Sequence, residues 1–309
     1  MTQPTHTLRV LHTSDAALAA TLSPLLSVEA EYGSVVVEGS EYTAAHHQPS
    51  GPYAGDHIVA GGRPAPCNDT GIPYLSFREG SVLVSHLDLD TVGGVLRAYG
   101  HTDFVFDPEW AKGFWNLAAF VDTNGPHKRH LAGASEEDLA RLDAWWAWMG
   151  ANVPRLPREG VTDVTDLVAE RCYEALCNIL TGAAHVMDAG RKFREAGDTL
   201  NAASFVEYRP SGVLVRRSPT QGDFVNHLYT SPDGVVARAV VALNPAGSIT
   251  VSLADAVPGV SCRDIVQRLW GALAGGHDGI AGSPRGQVMM QADVESAVQA
   301  VEDALDNAV

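Results

Sequence analysis

The chain has few basic residues and no long apolar run, and each shortage excludes a class of protein. It has 21 Lys and Arg and 37 Asp and Glu, which gives a formal net charge of −16. Because non-specific binding of nucleic acid depends on basic side chains that neutralise phosphates, we expect no long nucleic acid as a partner. No stretch approaches the roughly 20 apolar residues that span a bilayer, and residues 1–9 contain no apolar signal core. We therefore expect a soluble, cytoplasmic protein without a membrane partner.

Cysteine is also scarce in this chain. The four cysteines are scattered along it: Cys67, Cys172, Cys177 and Cys262. Neither a zinc-finger spacing nor a disulfide framework is visible, so we expect reduced, buried thiols. A hydrophobic content of 45% and a charged content of 19% are typical of a folded globular protein. At 309 residues the chain is long enough for two domains.

The predicted secondary structure changes character near residue 200. Before that point, short strands alternate with helices, and after it, turn-linked strands precede two helices. The N-terminal strands are predicted near 8–11, 35–37, 82–85 and 104–106, with helices near 15–26, 92–99, 109–120 and 163–193. We predict an α/β fold in two domains. Residues 1–200, with a helical linker at about 160–200, would form a metal-binding α/β sheet domain, and residues 201–309 a smaller α+β domain.

The most informative stretch is residues 82–94, where a short apolar run is followed by potential metal ligands. In an extended chain, side chains two residues apart point the same way, so His86, Asp88 and Asp90 would project together from a strand end. Two carboxylates held that closely repel each other unless a cation lies between them. Asp90 could instead cap the helix that follows. The spacing favours a divalent-metal site with these three residues as ligands.

The residue types also indicate which ion and which ligand the site would bind. Oxygen-rich ligation with some imidazole suits Mn²⁺ or Mg²⁺, and less often Zn²⁺. Gly93 and Gly94 follow the ligands directly and would let the backbone approach an anion at a helix N-terminus. His12 and Asp15, at the end of the first strand, could face the same crevice, since α/β sheets bind ligands beyond the carboxyl ends of their strands.

Two further groups of residues are candidates for the same site. His46 and His47 are adjacent, so on a strand they would point in opposite directions, and one could bind a metal while the other contacts substrate. They could equally be a surface pair. Asp122 precedes a turn that reaches His127, and this segment resembles a ligand loop as much as an ordinary turn stabilised by Asp and Asn side chains.

A glycine-rich loop at residues 275–286 is the second segment that carries chemistry. It holds five glycines in twelve residues, and His277 and Arg285 lie among them. The loop separates two predicted helices, and its composition favours contact between the backbone and an anion over a flexible connector. Glycine-rich loops alone are weak indicators, so the histidine and the arginine carry this prediction.

Together these elements resemble the DHH phosphoesterase superfamily with its DHHA1 C-terminal domain. Residues 275–282, Gly-Gly-His-Asp-Gly-Ile-Ala-Gly, are similar to the DHHA1 signature Gly-Gly-His-x-x-Ala-Gly. Residues 86–94 are similar to the family's first metal motif, and Asp122 resembles its next ligand aspartate. His46 and His47 resemble the histidines of the Asp-His-His motif. Here Ala replaces the aspartate of that motif, and the pair precedes the first metal motif, whereas in the family it follows.

The resemblance implies a metal-dependent hydrolase, a phosphoesterase whose substrate is small and anionic or nucleotide-like. It implies two Mn²⁺ ions, with Mg²⁺ or Zn²⁺ as alternatives. By this resemblance the metal ligands would be His86, Asp88, Asp90, Asp122 and His47. The catalytic histidines would be His46, His47 and His127. The substrate would contact Gly93, Gly94, Gly275, Gly276, His277 and Arg285.

Other functions stay open at this level. One is a metal-dependent hydrolase of a non-phosphate bond on the same scaffold, since the histidine motif is altered. Another is a non-catalytic, nucleotide-binding regulatory protein. The chain could also form a homodimer.

Overall fold

The computed structural model describes residues 7–32, 35–36, 40–44, 72–157, 159–221, 223–284 and 287–308. The chain divides into two compact units, residues 1–193 and 194–309. Each unit contains both helices and strands, which confirms a mixed α/β protein. None of the helices in the described part of the chain combines the length and the apolar character of a membrane span.

The first unit is built on a five-stranded sheet. Its strands are β1 (Leu8–His12), β2 (Leu26–Val28), β5 (Tyr42–Ala44), β6 (Gly80–Val84) and β7 (Thr162–Asp163), and a separate antiparallel pair is formed by β3 (Glu31–Tyr32) and β4 (Val35–Val36). The sheet order is β5-β2-β6-β1-β7, and only β7 runs antiparallel to its neighbour. The carboxyl ends of β1, β2, β5 and β6 therefore meet at one edge, where open α/β sheets bind their ligands.

Strand β6 lies at the centre of this sheet because its side chains are apolar on both faces. Val82, Leu83 and Val84 are all fully buried. Val82 and Val84 belong to the core that the helices form on one face, while Leu83 packs with Ala19 on the other face. A continuous apolar run of this kind is typical of a parallel strand that is covered on both sides.

Helices follow the strands of the first unit. They are α1 (Ala16–Ala19), α2 (Leu89–Tyr99), α3 (Thr102–Val105), α4 (Glu109–Asn124), α5 (Glu136–Asn152) and α6 (Tyr173–Leu180), with a 3₁₀ turn at Pro126–Leu131 and a π-helical turn at Leu167–Cys172. Helix α7 (Ala184–Ser204) begins in the first unit and continues past residue 193 into the second. Helix α2 ends at Gly100, whose φ of +79° favours glycine. Helix α5 begins after Ser135, whose hydroxyl accepts a hydrogen bond from the Asp138 N–H at 3.1 Å.

Two predictions for this unit are wrong. The strand predicted at 104–106 lies in helix α3 and the residue after it, because a short apolar run does not distinguish a buried strand from a buried helix. The helix predicted over 15–26 ends at Ala19, and Leu26 begins β2. Pro24 lies between them, and proline disfavours helical conformation in the residue before it.

The second unit contains a six-stranded sheet that is covered by two helices. Its strands are β8 (Phe205–Tyr208), β9 (Val213–Arg217), β10 (Ala239–Leu243), β11 (Ile249–Leu253), β12 (Gly275–Gly276) and β13 (Ile280–Gly282), in the order β12-β13-β11-β10-β9-β8. Helices α8 (Cys262–Trp270) and α9 (Gln291–Asp306) supply buried side chains such as Ile265 and Val298 to the core on one sheet face. This arrangement places the glycine-rich segment at a sheet edge.

Candidate metal centre

Three ligand-type side chains converge at the carboxyl ends of β2 and β6. Glu29 follows β2, His86 follows β6, and Asp88 immediately precedes helix α2. One ligand atom from each of these residues lies within 4.8 Å of the other two. Together with Asp90, in the first turn of α2, they are called the strand-end cluster below.

His86 links the two carboxylates of this trio. Its Nε2 lies 3.0 Å from Asp88 Oδ2 and 3.5 Å from Glu29 Oε2, and its Nδ1 lies 2.9 Å from Ser85 Oγ. Both side chains of the His86–Asp88 pair are nearly half exposed. Partial burial would raise the pKa of Asp88, but the hydrogen bond with His86 and the positive charge of protonated His86 outweigh it and hold that pKa below its usual range.

Asp88 also caps helix α2. Its Oδ1 accepts a hydrogen bond from the Thr91 N–H at 3.1 Å, so the N-cap is Asp88 and not Asp90. The cap uses Oδ1 and leaves Oδ2 on the side of His86. A single carboxylate therefore fixes the start of the helix and contributes to the cluster.

Asp90 is the most buried aspartate of the cluster, with 4% of its surface exposed. Its Oδ2 has no hydrogen-bond partner among the described residues, and the same is true of the neighbouring Thr91 Oγ1. Burial, followed by the negative charges of Asp88, Glu29 and Asp122, raises the pKa of Asp90 well above its usual value. An ionised carboxylate in this position is stable only when a cation compensates it.

Glu29 is a site residue that no sequence pattern indicated. Its φ of +50° lies in the left-handed region, which non-glycine residues adopt at a cost. The backbone is fixed from both sides, because its N–H donates to Ala44 O at 2.9 Å and its carbonyl accepts a hydrogen bond from Ser85 Oγ. The residue is fully buried and directs its carboxylate toward His86. Its one sequence signal was its place directly after a short strand, and that strand was itself not predicted.

Two residues at the end of the first strand differ in their environment. His12 is buried at the last position of β1, and its Nε2 lies 3.0 Å from Ser85 O. Burial lowers the pKa of His12; the hydrogen bond to Ser85 opposes this, and the charge of His86 lowers it further. Asp15, in contrast, is engaged as the N-cap of α1, where it accepts hydrogen bonds from Ala17 and Leu18.

Asp122 lies in the last turn of α4 and is half-buried. It lies outside the trio, yet its negative charge contributes to the raised pKa of Asp90. His127 lies in the 3₁₀ turn that follows, and its ring packs against Gly125, whose φ is +86°. The prediction that Asp122 is a ligand and that His127 acts in catalysis therefore stays a prediction, with Asp122 electrostatically coupled to the cluster.

The predicted anion-binding glycines of the first unit are internal to a helix. Gly93 and Gly94 are both buried in α2, beyond its first turn. Backbone N–H groups at these positions bond within the helix, while the first turn provides the unsatisfied ones. The predicted contact of Gly93 and Gly94 with substrate stays a prediction.

The glycine-rich segment of the second unit forms a β-hairpin at residues 275–282, the glycine hairpin below. Strands β12 and β13 pair, and β13 continues the sheet on β11. His277 is exposed at the turn, and its N–H donates to Ile280 O at 2.7 Å. Gly276 is required there, because its φ is +150° and an added Cβ would lie 2.5 Å from Ile280 O.

Asp278 stabilises the turn of this hairpin. Its Oδ1 accepts hydrogen bonds from Ser261 Oγ at 2.8 Å and from Arg263 Nη2 at 2.6 Å. These contacts connect the turn to the start of α8. They hold the pKa of Asp278 below its usual value, the hydrogen bond from Ser261 first and that from Arg263 second.

Three residues predicted to act in the site, His46, His47 and Arg285, lie outside the described residues. The strand-end cluster fits a divalent ion without them. It offers carboxylate oxygens and an imidazole nitrogen within bonding range of one ion, and the buried Asp90 oxygen beside them lacks a hydrogen-bond partner in the described chain. Such a mixed donor set suits Mn²⁺, Mg²⁺ or Zn²⁺.

Comparison with known proteins gives distant structural likenesses. No family model and no curated protein matches the chain. An exopolyphosphatase-related protein from Bacteroides fragilis is 12% identical, with a TM-score of 0.34 over 88% of this chain, which spans 65% of that protein. A pGpG-specific phosphodiesterase from Vibrio cholerae is 12% identical, with a TM-score of 0.45 over 98% of this chain and 99% of that one. At these scores the likenesses carry no conclusion about the activity of this chain.

Proposed function

We propose that this protein is a metal-dependent hydrolase that cleaves phosphoesters in small, nucleotide-like substrates. The observation that carries the proposal is the convergence of Glu29, His86 and Asp88, with ligand atoms within 4.8 Å of one another. The buried Asp90 beside them adds a carboxylate whose charge requires compensation. The trio would hold the ion, and Asp90 and Asp122 would add negative charge around it.

The chain's own residues fix the geometry of such a centre. Asp88 is held by the first turn of α2, and Glu29 by backbone hydrogen bonds to Ala44 and Ser85. Ser85 Oγ also lies beside His86 Nδ1, which orients the imidazole so that Nε2 faces the carboxylates. When bound, a divalent ion supplies an acidified water and polarises the scissile bond. Preorganised ligands lower the cost of binding it.

The phosphoester class is supported by the sequence motifs. The His-x-Asp-x-Asp segment and the Gly-Gly-His hairpin both resemble DHH and DHHA1 motifs, and we propose Mn²⁺, in one or two copies, as the ion. We propose that residues 1–200 act as the metal-binding domain and residues 201–309 as the substrate-binding domain. In that scheme, exposed His277 contacts the anionic group of the substrate.

Metal binding and turnover test the proposal directly. The full-length protein is stripped with EDTA and titrated with Mn²⁺ by calorimetry. It is then assayed on dinucleotides, bis(p-nitrophenyl) phosphate and pyrophosphate. We expect Mn²⁺-dependent cleavage of at least one phosphoester. Turnover of carboxylic esters or amides alone would overturn the substrate class, and a wild-type protein that binds no divalent ion would overturn the function.

Matched variants connect the activity to the cluster. Asp88→Asn keeps a good helix cap and removes the charge, and Glu29→Gln removes the second carboxylate. Each should weaken Mn²⁺ binding by at least about 10-fold, the lower range for loss of a group that supports a metal. Glu41→Gln is the control, because Glu41 is an exposed carboxylate of the same unit that pairs with Arg78. It should bind Mn²⁺ like the wild type.

A further inference from the structure

His12 lies in β1, on the face of the sheet that packs against helix α2. Side chains two residues apart on a strand share a face, so His12 shares the face of Leu8 and Val10. Leu8 and Val10 belong to the core that includes Val92 and Val95 of α2. An imidazole therefore replaces an apolar side chain at the carboxyl end of this face, and 3% of its surface is exposed.

The two ring nitrogens of His12 differ in their hydrogen bonding. Nε2 lies 3.0 Å from Ser85 O, and because a carbonyl oxygen can only accept, Nε2 carries the proton. In the neutral imidazole, Nδ1 then presents a lone pair. Nδ1 is buried and has no hydrogen-bond partner among the described residues. Leaving a buried acceptor in this state costs free energy, which a ligand at Nδ1 would offset.

This bonding pattern is the usual one for a metal-binding histidine. Such a histidine donates its second ring N–H to a backbone carbonyl, a carboxylate or water, which fixes the tautomer and the orientation of the ring. The register places His12 opposite Val84 of β6, and Ser85 and His86 follow Val84 directly. The carbonyl that orients His12 thus belongs to the segment that carries the strand-end cluster.

We infer that His12 is an additional ligand of the metal centre and binds a transition-metal ion through Nδ1. The inference rests on the proposed metal-dependent function and adds a nitrogen donor to it. With two imidazoles, His12 and His86, the centre prefers Mn²⁺, Co²⁺ or Zn²⁺ to Mg²⁺, because nitrogen donors suit transition metals. His12 is not one of the Glu29–His86–Asp88 trio and lies on the neighbouring strand, β1.

Two substitutions at His12 separate a ligand from a structural histidine. In His12→Gln the amide nitrogen replaces Nε2, which keeps the bond to Ser85 and removes the Nδ1 donor. In His12→Asn the amide oxygen replaces Nδ1, which keeps a ligand atom and loses the bond to Ser85. A ligand role predicts a larger loss of metal affinity in His12→Gln than in His12→Asn. A purely structural role predicts the reverse order, with His12→Asn the less stable protein.

The measurement uses EDTA-stripped full-length protein and metal ions alone. Co²⁺ is titrated by visible absorption and Mn²⁺ by calorimetry, each against Mg²⁺. We expect His12→Gln to weaken Co²⁺ and Mn²⁺ binding by about 10-fold or more, to alter the Co²⁺ spectrum, and to leave Mg²⁺ affinity nearly unchanged. An unchanged Co²⁺ spectrum and affinity in His12→Gln would overturn the inference.

Failure of this inference is distinguishable from failure of the proposed function. If Asp88→Asn loses Mn²⁺ and His12→Gln binds it normally, the centre exists and His12 is a core histidine with a buried water. If the wild type binds neither Co²⁺ nor Mn²⁺, both proposals fail together. Thermal unfolding of the metal-free proteins, measured in parallel, identifies any variant that does not fold.

Discussion

The strand-end cluster and the glycine hairpin carry similar residue types under opposite conditions. In the cluster, Asp90 is buried, and its Oδ2 has no hydrogen-bond partner in the described chain. In the hairpin, Asp278 is exposed and is bonded to Ser261 and Arg263. Accordingly, the pKa of Asp90 is raised and that of Asp278 is lowered.

The difference indicates which region needs a ligand. Polar groups that are buried without partners cost free energy, and the fold can keep them where a bound group compensates that cost. None of the described residues of the hairpin has a buried polar side chain without a partner. Its hydrogen bonds are made to other residues of the second unit, and its His277 is exposed to solvent. We therefore expect metal affinity to depend on the cluster and on His12, and not on the hairpin, and four experiments can break or sharpen this comparison.

The largest effect is expected at the hairpin, from Gly276→Ala. A Cβ there would meet Ile280 O at 2.5 Å, and the φ of +150° disfavours any side chain. We expect a loss of about 3 kcal/mol in the free energy of unfolding, measured in urea, from backbone strain and overlap. Gly279→Ala is the control, because nothing lies within 4 Å of its added Cβ. A change in Mn²⁺ affinity in folded Gly276→Ala would contradict the comparison.

Asp90→Asn should have opposite effects with and without metal. In the metal-free protein, it removes a buried charge that Asp88 and Glu29 repel, so the free energy of unfolding should rise by about 1 kcal/mol. With Mn²⁺ present, stabilisation by the metal should fall, since affinity drops about 10- to 100-fold. Thermal unfolding with and without Mn²⁺ measures both. A variant that is less stable than the wild type in EDTA would argue that Asp90 is structural.

In the metal-free protein, the free energy of unfolding should depend on pH through the same residue, Asp90. Because the pKa of Asp90 is raised in the folded state, protonation of Asp90 stabilises the folded protein relative to the unfolded one. This stabilisation is fully present below about pH 4 and is lost as the pH rises toward the folded pKa. The slope is at most about 1.4 kcal/mol per pH unit. Asp88, whose folded pKa is lowered, contributes no slope above that range. Urea unfolding in EDTA at several pH values should therefore give a smaller decline for Asp90→Asn, and parallel curves would contradict this.

The smallest effect is expected for Asp278→Asn. The change weakens an ion pair with Arg263 in which the aspartate side chain is 67% exposed, so solvent screening leaves little effect on the free energy of unfolding. Mn²⁺ affinity should stay at the wild-type value, which makes this the acid-to-amide control for Asp90→Asn. Loss of Mn²⁺ binding here would show that the hairpin contributes to the metal centre.

Much of the fold around the site could be predicted from the sequence. The apolar run at residues 82–84 predicted a strand that leads into a helix, and β6 and α2 have this order. The start of α5 also follows a local rule, because the Ser135 hydroxyl lies directly before acidic residues and caps the helix. Short apolar segments were misleading at residues 104–106, where packing and not local pattern decides the conformation.

For the site, the sequence by itself determined that His86, Asp88 and Asp90 lie at a strand end, because strand alternation and helix capping act over a few residues. Only the tertiary structure decided that Glu29 lies beside the same segment, and that His12, a candidate by its place at a strand end, lies there too. Parallel pairing brings β1 and β2 to either side of β6, and those pairings join residues far apart in the sequence. The left-handed backbone that directs Glu29 inward depends on bonds to Ala44 and Ser85. No local pattern around Glu29 encodes those contacts.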